Sequence, residues 1–196
     1  MIVLDIKDIA RARITLTLIF LNLISFIMIN LFLGDKYLLM FAQINQKVLN
    51  LEFWRLFTSM FMHADILHLL SNSIALLLFG ALLESIKYIS LVKYLAIYFI
   101  SGLIGNIFSL FLFPINTISL GASGCIFGLI GAAFILIIKE NPPLFILASI
   151  YIVFFIISSF GLRINFIAHI FGLIGGISLG YVFYKRGSKE FQYQYR

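Results

Sequence analysis

From Tyr94 to Ile138 the chain runs for 45 residues without one Asp, Glu, Lys or Arg. As a single α-helix that stretch would be about 68 Å long, more than twice the hydrocarbon thickness of a bilayer. Pro114, Asn116 and Gly121 fall near its middle and are residues that break helices and make turns. Two membrane spans joined by a short turn are therefore predicted, over about 94–113 and 121–138. The other apolar runs extend the pattern. They predict spans over about 14–33, 66–83, 143–160 and 164–184, giving six in all. The first run is too long for the apolar core of a signal peptide and has no small-residue cleavage site after it, so it is read as a span. Only 11% of residues are charged and mean hydropathy is +1.10, so the solvent of this chain is lipid. The predicted fold is an all-α polytopic bundle of six transmembrane helices, a single domain over 1–196.

The stretch from Gly34 to Asp65 does not fit that pattern. It mixes Asp35, Lys36, Lys47, Glu52 and Arg55 with Leu51, Phe53, Trp54, Phe57 and Phe61. An amphipathic first loop lying at the membrane interface is predicted.

The formal charge is +6, but the cations sit at the ends of apolar runs, where they set topology. With the N-terminus inside, Lys7, Arg11, Arg13, Lys87, Lys93, Lys139, Lys185, Arg186, Lys189 and Arg196 lie inside. Lys36, Lys47, Arg55 and Arg163 lie outside. Both termini are thus predicted to be cytoplasmic. No basic patch interleaves with aromatics, so nucleic acid is not an expected partner. The single cysteine, Cys125, allows no internal disulfide.

A polar side chain inside a span is costly and raises a functional question. His68 and Asn72 open the second span at i and i+4, so they share one helical face. As a pair they suit either a function or a hydrogen bond between helices. His63, upstream, reads as an interfacial loop residue. Gly121-Ala122-Ser123-Gly124 opens the fourth span. Small residues there permit a sharp turn into a helix that leaves a hydroxyl uncovered, and free N–H groups at a helix start can hold an oxyanion. The glycines at 121, 124, 128 and 131 equally suit close helix packing. Ala168-His169 with Gly172 and Gly176 places an imidazole and two glycines on one face of the sixth span. Close approach of the two glycine-lined helices would bring His169 against Ser123.

The order His68-x3-Asn72, Gly121-x-Ser123-Gly124, then Ala168-His169-x2-Gly172-x3-Gly176 closely resembles the rhomboid intramembrane proteases. The likeness extends to Trp54-Arg55, to His63-x4-His68 and to Gly80-x3-Glu84. The resemblance implies that Ser123 is the nucleophile and His169 its general base, a dyad with no aspartate. It implies that His68 and Asn72 help the Ser123 N–H stabilise the oxyanion. Trp54 and Arg55 would shape the first loop, Glu84 would pin helices near the cytoplasmic side, and Gly172 and Gly176 would allow the contact of spans four and six. Phe127 stands where many bacterial relatives carry tyrosine, and keeps the stacking face without the hydroxyl. No cofactor or metal is implied. The implied partners are transmembrane protein substrates and the lipid bilayer, and the short termini suggest a prokaryotic plasma membrane. The alternatives are an inactive rhomboid-like binder of membrane proteins, and a transporter or channel using His68, His169 and Glu84 as relay groups.

Overall fold

The structure is a computed structural model that describes residues 5–158, 161 and 164–194. Its long helices are where the apolar runs lie. Among the described residues, five are long and apolar enough to cross a membrane: Arg13–Leu33, Ile66–Glu84, Leu91–Leu112, Ser123–Glu140 and Phe166–Lys185. The chain is an integral membrane helical bundle.

In chain order, α1 (Ile6–Arg11) leads into α2 (Arg13–Phe26), which continues as a π-helical stretch, Ile27–Leu33. The first loop holds α3 (Asp35–Phe41), β1 (Gln43–Ile44), α4 (Asn45–Leu49) and α5 (Arg55–Thr58), with a 3₁₀ turn over Ser59–Phe61. Then come α6 (Ile66–Glu84), α7 (Leu91–Leu112), β2 (Ile118–Ser119), α8 (Ser123–Glu140), α9 (Phe145–Ser158) and α10 (Phe166–Gln194).

The fifth predicted span, 143–160, is described as far as Ser158. Pro142 and Pro143 take up a 3₁₀ turn, and α9 is described over Phe145–Ser158. Phe160, which ends the predicted span, and the topology markers Arg163 and Arg196 lie outside the described residues.

The centre of the bundle is α8, packed against α6, α7 and α10. Its residues from Gly124 through Ala133 are all buried. Its glycines explain how neighbours come so close. A Cβ on Gly128 would collide with Ser101 of α7, and one on Gly131 with the Leu173 carbonyl of α10. Around this centre the outward faces carry Leu, Ile, Phe and Val, as in Leu31, Phe32, Leu67, Val92 and Phe154. In lipid such faces are solvated rather than wasted.

The cytoplasmic-side tie predicted for Glu84 has a definite geometry. Its carboxylate accepts from the Ile14 N–H (2.9 Å), the Thr15 N–H (3.0 Å) and the Thr15 hydroxyl (3.0 Å). These are donors in the first turn of α2, which have no intrahelical acceptor. The Thr15 hydroxyl also meets the Tyr94 hydroxyl at 2.9 Å. One carboxylate thus ties α2, α6 and α7.

The first loop is folded rather than only amphipathic. Arg55 is buried, and its guanidinium donates to the carbonyls of Leu39 (2.7 Å) and Ala42 (2.8 Å) and to Glu52 (2.6 Å). A buried cation needs such a cage. Trp54 beside it is half exposed. A two-residue antiparallel ladder, Gln43 opposite Ser119 and Ile44 opposite Ile118, joins this loop to the segment before Ser123.

Candidate active site

The turn before α8 is set by Gly121. Its φ is +122°, a conformation open to glycine and strained for residues with a Cβ. Its N–H donates to the Ser59 carbonyl at 2.9 Å. Ser59 is in turn fixed by Asn106, whose Nδ2 donates to the Leu56 carbonyl (2.7 Å) and to the Ser59 hydroxyl (3.3 Å). The first loop therefore determines how the chain enters α8. Ser123 is the first residue of that helix, where the backbone N–H has no intrahelical acceptor.

His169 lies in the first turn of α10. That turn is held by Asn165, whose side-chain oxygen accepts from the Ala168 N–H at 2.9 Å. Its Nδ2 donates to the hydroxyls of Ser109 (2.6 Å) and Ser119 (2.8 Å). Asn165 caps α10 and anchors it to α7 and β2 at once.

These two helix starts meet. His169 Nε2 lies 2.7 Å from Ser123 Oγ. The imidazole is buried and stacks on Phe127, with ring centroids 4.4 Å apart and planes 9° apart. Phe127 is one turn along α8 from Ser123, so the same helix carries the hydroxyl and the ring that holds its partner. The approach depends on Gly172 and Gly176. A Cβ on Gly172 would run into the Gly124 carbonyl, and one on Gly176 into the Gly128 carbonyl. Gly124 itself is less constrained, since a Cβ there would rest 3.5 Å from the Ala168 carbonyl, an ordinary contact.

His68 and Asn72 face the same turn from α6. His68 Nε2 lies 2.8 Å, and Asn72 Nδ2 3.5 Å, from the place a Gly121 Cβ would occupy. Asn72 is buried, and its Nδ2 has no acceptor among the described residues. Both side chains thus face the Gly121 turn that leads into Ser123.

His63 corrects the sequence reading of an interfacial loop residue. It is fully buried, with its ring against that of His68, centroids 5.1 Å apart in an edge-on arrangement. Desolvation, then the neighbouring His68, hold its pKa well below the ordinary histidine value, at about 3. The loop carrying it folds inward and is tied to the end of the first span by Asn30, which sequence polarity alone did not reveal.

Ser123, His169, His68, Asn72, Gly121 and Phe127 are brought together. Gly124, Gly172 and Gly176 line the adjoining helix contact. Trp54, Arg55 and Glu84 lie apart, in the first loop and at the α2–α6 tie. Sequence reasoning missed Asn165, Asn106 and Ser59. Of these Asn165 was within reach, as a cap residue immediately before an apolar helix. Among the described residues there is no cluster of three or more His, Cys, Asp or Glu that could hold a metal.

A Rhomboid domain profile matches residues 50–186, which includes every residue of this cluster. The chain is 35% identical over 152 residues to YdcA of Bacillus subtilis (strain 168), whose name carries the words rhomboid protease; the match covers 75% of each chain. It is 34% identical over 141 residues to rhomboid protease GluP of the same organism, covering 69% of this chain and 27% of GluP. It is 36% identical over 137 residues to RHOMBOID-like protein 6, mitochondrial, of Arabidopsis thaliana, covering 67% of this chain and 44% of that one. With a matching domain over most of its length and a relative of such identity spanning three quarters of both chains, this integral membrane protein belongs to the rhomboid family.

Proposed function

We propose that the chain is an intramembrane serine endopeptidase that cuts transmembrane segments of other membrane proteins with a Ser123–His169 dyad. The observation that carries this reading is the 2.7 Å contact of Ser123 Oγ with His169 Nε2, held by the stacked Phe127 ring. A serine hydroxyl is a weak nucleophile until a neighbouring base takes its proton. In a triad an aspartate orients that base. Here packing on Phe127 and the glycine-lined contact with α8 supply the orientation.

In the proposed reaction His169 Nε2 accepts the Ser123 proton as Oγ attacks the scissile carbonyl. The oxyanion is met by the Ser123 N–H, Asn72 Nδ2 and His68 Nε2–H. His169 then returns the proton to the leaving amine. Water attacks the acyl-enzyme, with His169 as base again. A substrate helix must first unwind, because its amides are shielded, so small or helix-breaking residues near the scissile bond favour cleavage. The same reading takes the chain as one domain of six spans, with α9 in the fifth. Both termini face the cytoplasm of a prokaryotic cell.

The test is labelling of purified protein by a fluorophosphonate, with the adduct mapped by mass spectrometry. An adduct on Ser123 that is absent from His169→Ala supports the reading. Intact, folded protein that takes up no label contradicts it and favours a rhomboid-like protein without catalytic activity.

A further inference from the structure

The first span does not end as an α-helix. At Ile27 it passes into the π-helical stretch that runs to Leu33, a widened geometry that often marks functional positions. Asn30 sits in it, flanked by Ile29 and Leu31. An amide in such company is costly unless its hydrogen bonds are made. Its Nδ2 donates to the His63 carbonyl at 3.0 Å and to the Ala64 carbonyl at 3.5 Å.

The His63 carbonyl belongs to the same peptide group as the Ala64 N–H. That N–H reaches His68 Nδ1 at 3.5 Å. Among the described residues no peptide is cis, so C=O and N–H of this group point in opposite directions. Asn30 therefore pulls on one end of a peptide dipole whose other end points at His68. Hydrogen bonds in such a chain polarise and strengthen one another.

The consequence for His68 is chemical. A neutral imidazole that accepts at Nδ1 carries its proton on Nε2. Nε2 is the nitrogen that faces the Gly121 turn, beside Ser123. The buried His63 ring lies edge-on against the same imidazole. With Nδ1 engaged, His68 presents a donor to the site. With Nδ1 released, the other tautomer would present a bare acceptor lone pair, which repels an oxyanion.

We propose that Asn30, acting through the His63–Ala64 peptide, is a positioning residue that sets the tautomer and ring pose of His68 so that its Nε2–H faces the oxyanion. The role in turnover rests on the protease reading above; the tautomer does not.

Two readouts test it on the full chain. The first is turnover and KM of Asn30→Leu, with Asn30→Ala in reserve should the leucine not fit, each in the wild-type and His68→Ala backgrounds. Loss of one hydrogen bond in the chain is expected to lower kcat about three- to tenfold at unchanged KM. In His68→Ala the same substitution should add almost nothing, because it acts through that ring. An Asn30 substitution that lowers kcat by the same factor in both backgrounds would make the residue a plain tie between helix and loop, and would overturn the proposal. The second is ¹⁵N NMR of the imidazoles at pH 7.5, the three histidines being assigned by substitution. The His68 ring is expected to be protonated at Nε2, with that preference weakened in Asn30→Leu. Protonation at Nδ1 in the wild type overturns the proposal. A wild-type protein that cleaves nothing would sink the protease reading alone, and the ring spectrum would still decide the role of Asn30.

Discussion

Gly124 and Gly172 face each other across the contact of α8 and α10, yet the structure gives them unequal tolerance. An alanine methyl at Gly172 would overlap the Gly124 carbonyl, a backbone atom that cannot rotate away. Restoring an ordinary contact requires α10 to retreat by about 1 Å, because packed interiors have no slack to absorb it. His169 is three residues from Gly172 on the same helix, so it would move with it. Its 2.7 Å contact with Ser123 would open to roughly 3.7 Å, beyond hydrogen-bond reach. A misplacement of that size costs on the order of 10²-fold in rate, and the overpacking itself costs about 1–3 kcal/mol of stability. A methyl at Gly124 would instead sit 3.5 Å from the Ala168 carbonyl, and Gly124→Ala should keep most activity. The assay is cleavage of a single-span substrate in proteoliposomes, with melting temperature measured on the same preparations. Wild-type cleavage by Gly172→Ala, or equal damage from the two substitutions, would refute the reasoning.

Three further outcomes are expected. Asn72→Ala should lower turnover at least about tenfold at nearly unchanged KM, and His68→Ala at least as much, because oxyanion donors act mainly in the transition state; normal turnover in both removes them from the site. Glu84→Ala, which strips three hydrogen bonds from the start of α2, should lower the melting temperature while the folded fraction keeps near-normal kcat. His63 is held neutral with a folded-state pKa of about 3 against an ordinary 6.5. The unfolded chain thus binds a proton between those values that the folded chain refuses, so His63 should make stability fall as pH drops from about 6.5 towards 3. His63→Phe should flatten that part of the melting-temperature profile, and an unchanged slope would argue against the buried neutral ring.

Much of the bundle could be read from the sequence because lipid makes hydropathy speak. The charge-free stretch and its Pro114 break gave α7 and α8 nearly at their observed ends. The order of His68, Ser123 and His169 on separate spans pointed to one cluster, because glycines at helical spacing mark where backbones can meet. What could not be read was local and non-periodic. The ladder of Gln43 with Ser119 is two residues long and leaves no alternation to detect. Asn165 is legible as a helix cap, but its ties to Ser109 and Ser119 join segments far apart in sequence. His63 reads as polar loop because sequence does not say whether a loop folds inward, and here Asn30 ties it to the end of the first span.

The most direct test of the central claim is whether the Ser123 hydroxyl cuts a membrane-embedded peptide bond. Purified protein would be reconstituted with a panel of single-span membrane proteins and the fragments sequenced by mass spectrometry, with Ser123→Ala, His169→Ala and the double variant in parallel. The expected result is cleavage within or at the edge of a substrate's apolar segment by the wild type, and none by Ser123→Ala or His169→Ala. The double variant should be no worse than either single, since the two residues act as a unit. Cleavage that persists in folded Ser123→Ala would contradict the account.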